Sequence, residues 1–211
     1  MAYIEPRPAH GAGLFVRLVY WAVRRRFGRV PKPLGIMAYN RAILAATAGF
    51  ELGLERATSL GAGLKELASV KAATLVGCRF CIDIGASLAR GHGVSVEALT
   101  DLPVYETSPH FTPLEKRVLD YTVAMTETPM LVPRPLFEAL RSELGVPALV
   151  ELTAAIAWEN YRARFNHAFG ATEEGFSDQT LCLLPPPVPG AKSKSTEKVR
   201  WRESAEPGAQ G

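Results

Sequence analysis

Cys78 and Cys81 stand three apart in the stretch "GCRFCIDIGAS". A C-x-x-C pair can cycle between dithiol and disulfide, supply two ligands to a metal, or simply fill a core. Local chemistry favours the first. Gly77 breaks a helical pattern over 63–76, and a second helix reads from about 79 to 90. That places Cys78 at or just before a helix N-terminus and Cys81 in the first turn. Exposed amides and the positive end of the helix dipole favour a thiolate there. Arg79 adds a positive charge, and Asp83, four residues on, is placed to pair with it. Two adjacent thiols, one with a depressed pKa, can attack an oxidant and close a disulfide. A structural zinc would need four ligands. No second C-x-x-C exists, and His10, His92, His110 and His167 are scattered singly. Neither a metal nor an organic cofactor is expected.

The elements that must hold the pair are helical. Alternating runs of branched residues closed by tight turns are scarce, whereas Ala- and Leu-rich segments alternate with Gly and Pro breaks. Helices are expected at about 13–27, 36–50, 52–60, 63–76, 79–90, 95–100, 113–127, 134–144 and 147–169. The fold class is therefore all-α. Three regions follow: a basic N-terminal helix or arm at 1–30, a helical domain at 31–170, and a tail at 171–211. The tail turns Pro-rich and then mixed-charge, so most of it is expected to be disordered, above all beyond about 185. Cys182, just before that point, is expected to be a small apolar filler.

Glu66, the C-x-x-C and the segment after it resemble the carboxymuconolactone decarboxylase superfamily, in its alkyl hydroperoxidase D-like branch. That pattern has a Glu twelve residues before the first Cys, and here Glu66 precedes Cys78 by twelve. The stretch "TPLEKRVLDYTVAM" and the segment "VPRPLFEALRSELGVPALVELTAAIAWENYRARFNHAFG" resemble the second helical portion of the family. The resemblance implies an alkyl hydroperoxidase D-like helical bundle and a homo-oligomer, a trimer or hexamer. In the peroxidase branch the second Cys attacks the peroxide and the first resolves it. Carried over, Cys81 would be peroxidatic, Cys78 resolving, and Glu66 part of a proton relay. Reduction by a dithiol or a protein reductant would reset the pair, and the substrate would be a small peroxide or disulfide. The other branch implies a non-redox decarboxylase or isomerase-like lyase on a small carboxylated compound. That branch does not need two cysteines.

One departure stands out. The family places His four residues after the second Cys; this chain has Gly85, and Phe80 fills the place between the cysteines that can also be His. Gly85 would serve either close helix packing or room for a ligand beside Cys81. A bundle that lost its relay could also survive as a catalytically degenerate oligomer. Within the last helix, Leu149, Leu152, Ile156, Asn160, Ala163 and His167 read as one stripe, with Trp158, Tyr161, Phe165 and Phe169 as a second. A helix apolar on two sides is buried. Asn160 and His167 then either bond to each other inside or line the thiol pocket and supply the missing base. His92, at a helix end, reads as a solvated cap. Val70 and Ala73 share the side of Glu66, so a partly buried carboxyl that trades protons near neutrality is expected there.

Composition bounds the rest. The chain of 211 residues has 47% hydrophobic residues and a net charge of +3, which argues against nucleic acid as a partner. The charge is uneven: residues 1–34 carry seven basic residues and one acidic one. The helix "LFVRLVYWAVRRRFGR" reads as a surface helix packed through Phe15, Leu18, Val19 and Phe27. The rival reading lays Trp21 and the arginines on anionic lipid. No signal peptide or membrane-length apolar run is evident, and three cysteines do not make a secreted disulfide scaffold. A cytoplasmic, reducing setting is expected.

Overall fold

The computed structural model describes residues 2–177. Its helices are α1 (Leu14–Phe27), α2 (Lys32–Met37), α3 (Arg41–Arg56), α4 (Ala62–Val76), α5 (Arg79–Gly91), α6 (Val96–Thr100), α7 (Pro113–Thr126) and α8 (Arg134–Ala168). A single 3₁₀ turn, Leu102–Val104, follows α6. No strand occurs among the described residues. The all-α class read from the sequence is the class observed.

Helix boundaries follow local chemistry. Thr112 caps α7 in a reciprocal capping box with Glu115, and Pro113 fits the first turn, where its missing N–H costs nothing. The break placed at Gly145–Pro147 is real: Gly145 adopts φ 76°, ψ 165° inside α8. The expected helices 36–50 and 52–60 need correction. The chain breaks instead at Tyr39–Asn40, because the Asn40 side chain accepts hydrogen bonds from the amides of Ala42 and Ile43 at 3.1 and 3.3 Å. Helix α3 then runs straight through Gly53 to Arg56.

Helix α4 is the centre of the bundle. Leu67 through Thr74 are all buried, with no wet stripe among them. Helices α5, α7 and α8 pack around it. Polar groups carried inside must therefore find partners. Lys71 donates to the carbonyl of Leu102 at 3.0 Å and lies over the Tyr105 ring, 4.3 Å from its centroid. Lys65 meets Glu151 of α8 at 2.7 Å. The second Glu151 oxygen accepts the amides of Ser59 and Leu60 at 2.8 and 3.0 Å.

The N-terminal arm is part of this body. Val16 and Tyr20 of α1 are buried against Met37, Ala38 and Leu44, with Phe15, Val19 and Phe165 alongside. Leu18, expected to pack, is 59% exposed, and Trp21 is 56% exposed. No described helix is long and apolar enough to cross a membrane.

Residues 171–177 also pack, although the sequence places them in the tail. The buried Asp83 carboxylate of α5 accepts the amides of Glu174, Phe176 and Ser177 at 2.8–3.1 Å, and the Ser177 hydroxyl at 2.9 Å. Arg79 pairs with Glu173 at 2.6 Å rather than with Asp83. Phe176 packs edge-on to Phe80 and Phe27, with the Arg29 guanidinium 4.1 Å above its ring centroid. The disorder expected further on, and Cys182, lie outside the described residues.

Burial pushes the Asp83 carboxyl up, but these hydrogen bonds outweigh it and hold the group below the ordinary Asp range. A depressed carboxyl stabilises the folded form above its unfolded pKa and loses that contribution as pH falls through the folded value. Asp83→Asn should therefore release residues 173–177 at neutral pH. Their amides should exchange roughly tenfold faster or more, since hydrogen bonds to a charged group are worth about 1.5–3 kcal/mol. Acidifying the parent protein below the ordinary Asp range should do the same. Unchanged protection, read by hydrogen exchange with mass spectrometry, would contradict this anchoring role.

Candidate active site

The site begins at Gly77. Its φ of 79° is left-handed, which costs glycine little. The turn returns the Cys78 amide to the Ala73 carbonyl at 3.1 Å and the Gly77 amide to the same oxygen at 3.0 Å. This is a Schellman-type stop. It reverses the chain, so α4 and α5 lie side by side and antiparallel. Cys78 is left as the N-cap of α5.

Cys78 and Cys81 are joined as a disulfide. They are 1% and 5% exposed. The Cys78 sulfur accepts the Cys81 amide at 3.2 Å. The Cys81 sulfur accepts the side-chain amide of Asn166 at 3.3 Å. Each sulfur therefore meets an N–H donor in an apolar cluster that includes Leu67, Val70, Phe80 and Ala163.

Asn166 was not read from the sequence, and the reason is geometric. The inward stripe of α8 is Leu149, Leu152, Ile156, Glu159, Ala163 and Asn166. Its steps alternate three and four, whereas the sequence stripe was advanced by one residue at 160 and again at 167. Asn160 and His167 consequently leave the candidate site. Asn160 donates to Thr126 Oγ1 and the Ile156 carbonyl, both at 3.0 Å, and receives Arg164. His167 is exposed. They do not pair with each other and do not supply a base at the cysteines. His92 caps α5 and is exposed, as expected.

Glu66 lies within the electrostatic reach of a charged cluster. Arg162 binds Glu159 of its own helix, and reaches Glu51 of α3 at 2.9 Å. Trp158 Nε1 donates to the same Glu51 oxygen at 2.9 Å. Burial raises the Glu66 pKa, against the pull of Arg162, His92 and Lys65. Burial also lifts the Glu159 carboxyl to about 7, although Arg162 opposes it. The Arg162 guanidinium is held firmly protonated: burial opposes its charge, but Glu159 and Glu51 prevail. Two carboxylates, Glu51 and Glu159, thus share one guanidinium beside α4, with Glu66 in its field, and Glu66 and Glu159 hold protons more tightly than an exposed Glu. Among the described residues, no three His, Cys, Asp or Glu side chains are grouped to hold a metal ion.

Two buried oxygens in this region have no protein partner among the described residues, Glu159 Oε1 and Asn166 Oδ1. An unpaired buried acceptor costs about 1–3 kcal/mol. Both residues lie on the inward stripe of α8.

Gly85 is buried on α5, facing α4. A Cβ there would come within 3.1 Å of Val70 Cγ2. Close packing of the two helices thus explains the glycine, and leaves little tolerance for an imidazole. Gly85→His should destabilise the protein by roughly 1–3 kcal/mol through overpacking. Adding Val70→Ala in the same chain should recover part of that loss. Equal denaturant midpoints for the parent and Gly85→His would show that this packing does not exclude the ring.

Comparison with known proteins gives these features a lineage. Residues 41–124 match the carboxymuconolactone decarboxylase family. The chain is 31% identical over 173 residues to Uncharacterized protein YnjA of Escherichia coli (strain K12), covering 82% of this chain and 92% of that one. Its fold superposes on the debrominase Bmp8 with a TM-score of 0.73 at 19% identity, over 82% of this chain and 92% of that one. The alkylhydroperoxidase AhpD core of an uncharacterized peroxidase-related protein from Ralstonia eutropha JMP134 also gives 0.73, at 18% identity, over 83% and 94%. At such identities the solved structures speak to the fold alone. Together with the cysteine turn on paired helices, these matches place the chain in the carboxymuconolactone decarboxylase family, with a fold like that of the alkylhydroperoxidase AhpD core.

Proposed function

We propose that the protein is a thiol-disulfide oxidoreductase that reduces small hydroperoxides, with Cys81 as the attacking thiol and Cys78 as the resolving one. The observation that carries this reading is the Cys78–Cys81 disulfide at the start of α5, with one N–H donor on each sulfur. Such donors favour a thiolate over a thiol and so activate the nucleophile. The near-complete burial of both cysteines suits a small oxidant.

The Cys81 thiolate attacks the outer oxygen of R–O–O–H. The O–O bond breaks, the alkoxide leaves and takes a proton, and Cys81 becomes a sulfenic acid. The Cys78 thiolate then attacks that sulfur and expels hydroxide, which leaves as water once protonated. Two thiols are oxidised by two electrons to a disulfide, and the hydroperoxide is reduced to alcohol and water. An external dithiol, free or on a protein, returns the pair by two exchange steps and becomes a disulfide itself. Glu66, with Glu159 beside it, is the proton store for the leaving oxygens, because burial keeps both carboxyls protonated to higher pH. The protein acts as a homo-oligomer, a trimer or hexamer, in the reducing cytoplasm.

The reduced chain, mixed with one equivalent of hydroperoxide, should lose both thiols together, and peptide mapping should find them as the Cys78–Cys81 disulfide. Cys78→Ser should stop at a Cys81 sulfenic acid that a 1,3-dione traps. Cys81→Ser should show no rapid phase. Glu66→Gln should slow the first step on the order of a hundredfold; an unchanged rate would remove Glu66 from the mechanism. Cysteines that stay reduced in the parent protein would overturn the whole reading.

A further inference from the structure

The missing histidine leaves the Cys81 sulfur without an imidazole, yet not without a polar neighbour. Asn166 is 4% exposed and places its Nδ2 at 3.3 Å from Cys81 Sγ. Its Oδ1 is buried and has no protein partner among the described residues. A side-chain amide can donate and accept at once. Here the donor is committed to the sulfur and the acceptor is held beside it, inside an apolar cluster. A purely structural asparagine would satisfy both ends, because the alternative is costly.

We propose that Asn166 is a catalytic residue of the thiol centre: its N–H holds the Cys81 sulfur, and its free carbonyl oxygen accepts the O–H of the incoming hydroperoxide. The proposal rests on the redox reading of the cysteine pair. The hydrogen bond from R–O–O–H to Oδ1 turns the outer oxygen towards Cys81. The sulfur attacks that oxygen, the O–O bond breaks, and the alkoxide departs. Asn166 exchanges no proton. It fixes the two reacting atoms relative to each other and stabilises charge on sulfur.

The other charged groups nearby are accounted for. On α5, Arg79 is paired with Glu173, and Asp83 is bound by the amides of residues 174–177. On α8, Glu159 sits seven residues before Asn166, about 10.5 Å along the axis, and is held by Arg162. Glu66 of α4 lies in the field of that same Arg162 and of His92 at the end of α5. Asn166 is the side chain whose hydrogen bond reaches the Cys81 sulfur.

Two readouts on the reduced full-length chain test this: thiolate absorbance in the ultraviolet as a function of pH, and the rate of the first step with hydroperoxide. Asn166→Asp keeps the shape but replaces the donor by a negative charge. It should move the Cys81 titration up by about one pH unit or more and slow the first step at least roughly tenfold. Asn166→Ala should slow the first step without the charge effect. Should either variant fold poorly, the side-chain amide resonance of Asn166 in the parent protein serves instead; it should shift as Cys81 ionises. A parent protein that consumes no hydroperoxide would refute the peroxidase reading and with it the carbonyl's role. The titration and the amide signal would still decide the contact with sulfur. Identical titrations and rates in the parent and Asn166→Asp, or an amide signal blind to Cys81, would overturn the proposal.

Discussion

The reversal at Gly77 is the constraint on which the rest of the structure depends. One left-handed residue ends α4, turns the chain, and leaves Cys78 as the cap of α5. Because the turn is tight, α4 and α5 must run antiparallel in close contact along their length. Gly85 permits that contact, since a Cβ there would come within 3.1 Å of Val70 Cγ2. The same geometry that fixes the sulfurs in a helix N-terminus therefore leaves little tolerance for a ring four residues later. The cysteine turn and the close approach of Gly85 to Val70 belong to one packing arrangement.

Burial of α4 on all sides then decides where charge can go. Lys65 and Lys71 are satisfied by a carboxylate and by carbonyls of neighbouring segments. Glu66 joins Glu159, Arg162 and Glu51 at one end of the α4–α5 pair. At the other end, Asp83 gathers the chain that follows α8. The cysteines lie near that second end, between apolar side chains and Asn166. On the inward stripe of α8, Ala163 stands between Glu159, in the charged cluster, and Asn166, at the Cys81 sulfur.

Much of this was legible in the sequence, and the limits have physical causes. Capping residues and Gly/Pro breaks act locally, so the α4–α5 turn, the start of α7 and the break at Gly145 could be read directly. Asn40 carried the same kind of signal as Thr112, but the expected break lay near residue 51, inside what is one helix. The inner face of α8 is a tertiary property. The sequence stripe and the observed one share Leu149, Leu152, Ile156 and Ala163, and a four-residue step where the helix turns its inner face after three exchanged Glu159 and Asn166 for Asn160 and His167. Strict three-four alternation from Leu149 would have found both. The contact of Asp83 with residues 174–177 could not be read at all, since it joins positions 91–94 apart through backbone amides. The role of Gly85 stayed open until the neighbour across the helix pair, Val70, was known.

The central claim is that Cys78 and Cys81 form a reversible two-electron couple rather than two inert core residues. Equilibration of the full-length protein with buffers of reduced and oxidised dithiothreitol tests it most directly, with the Cys78–Cys81 disulfide quantified by mass spectrometry after acid quenching. The account predicts one two-electron transition, independent of protein concentration and identical when approached from either side. Thiols that never oxidise, a disulfide that never reduces without unfolding, or pairing of either cysteine with another chain would contradict it.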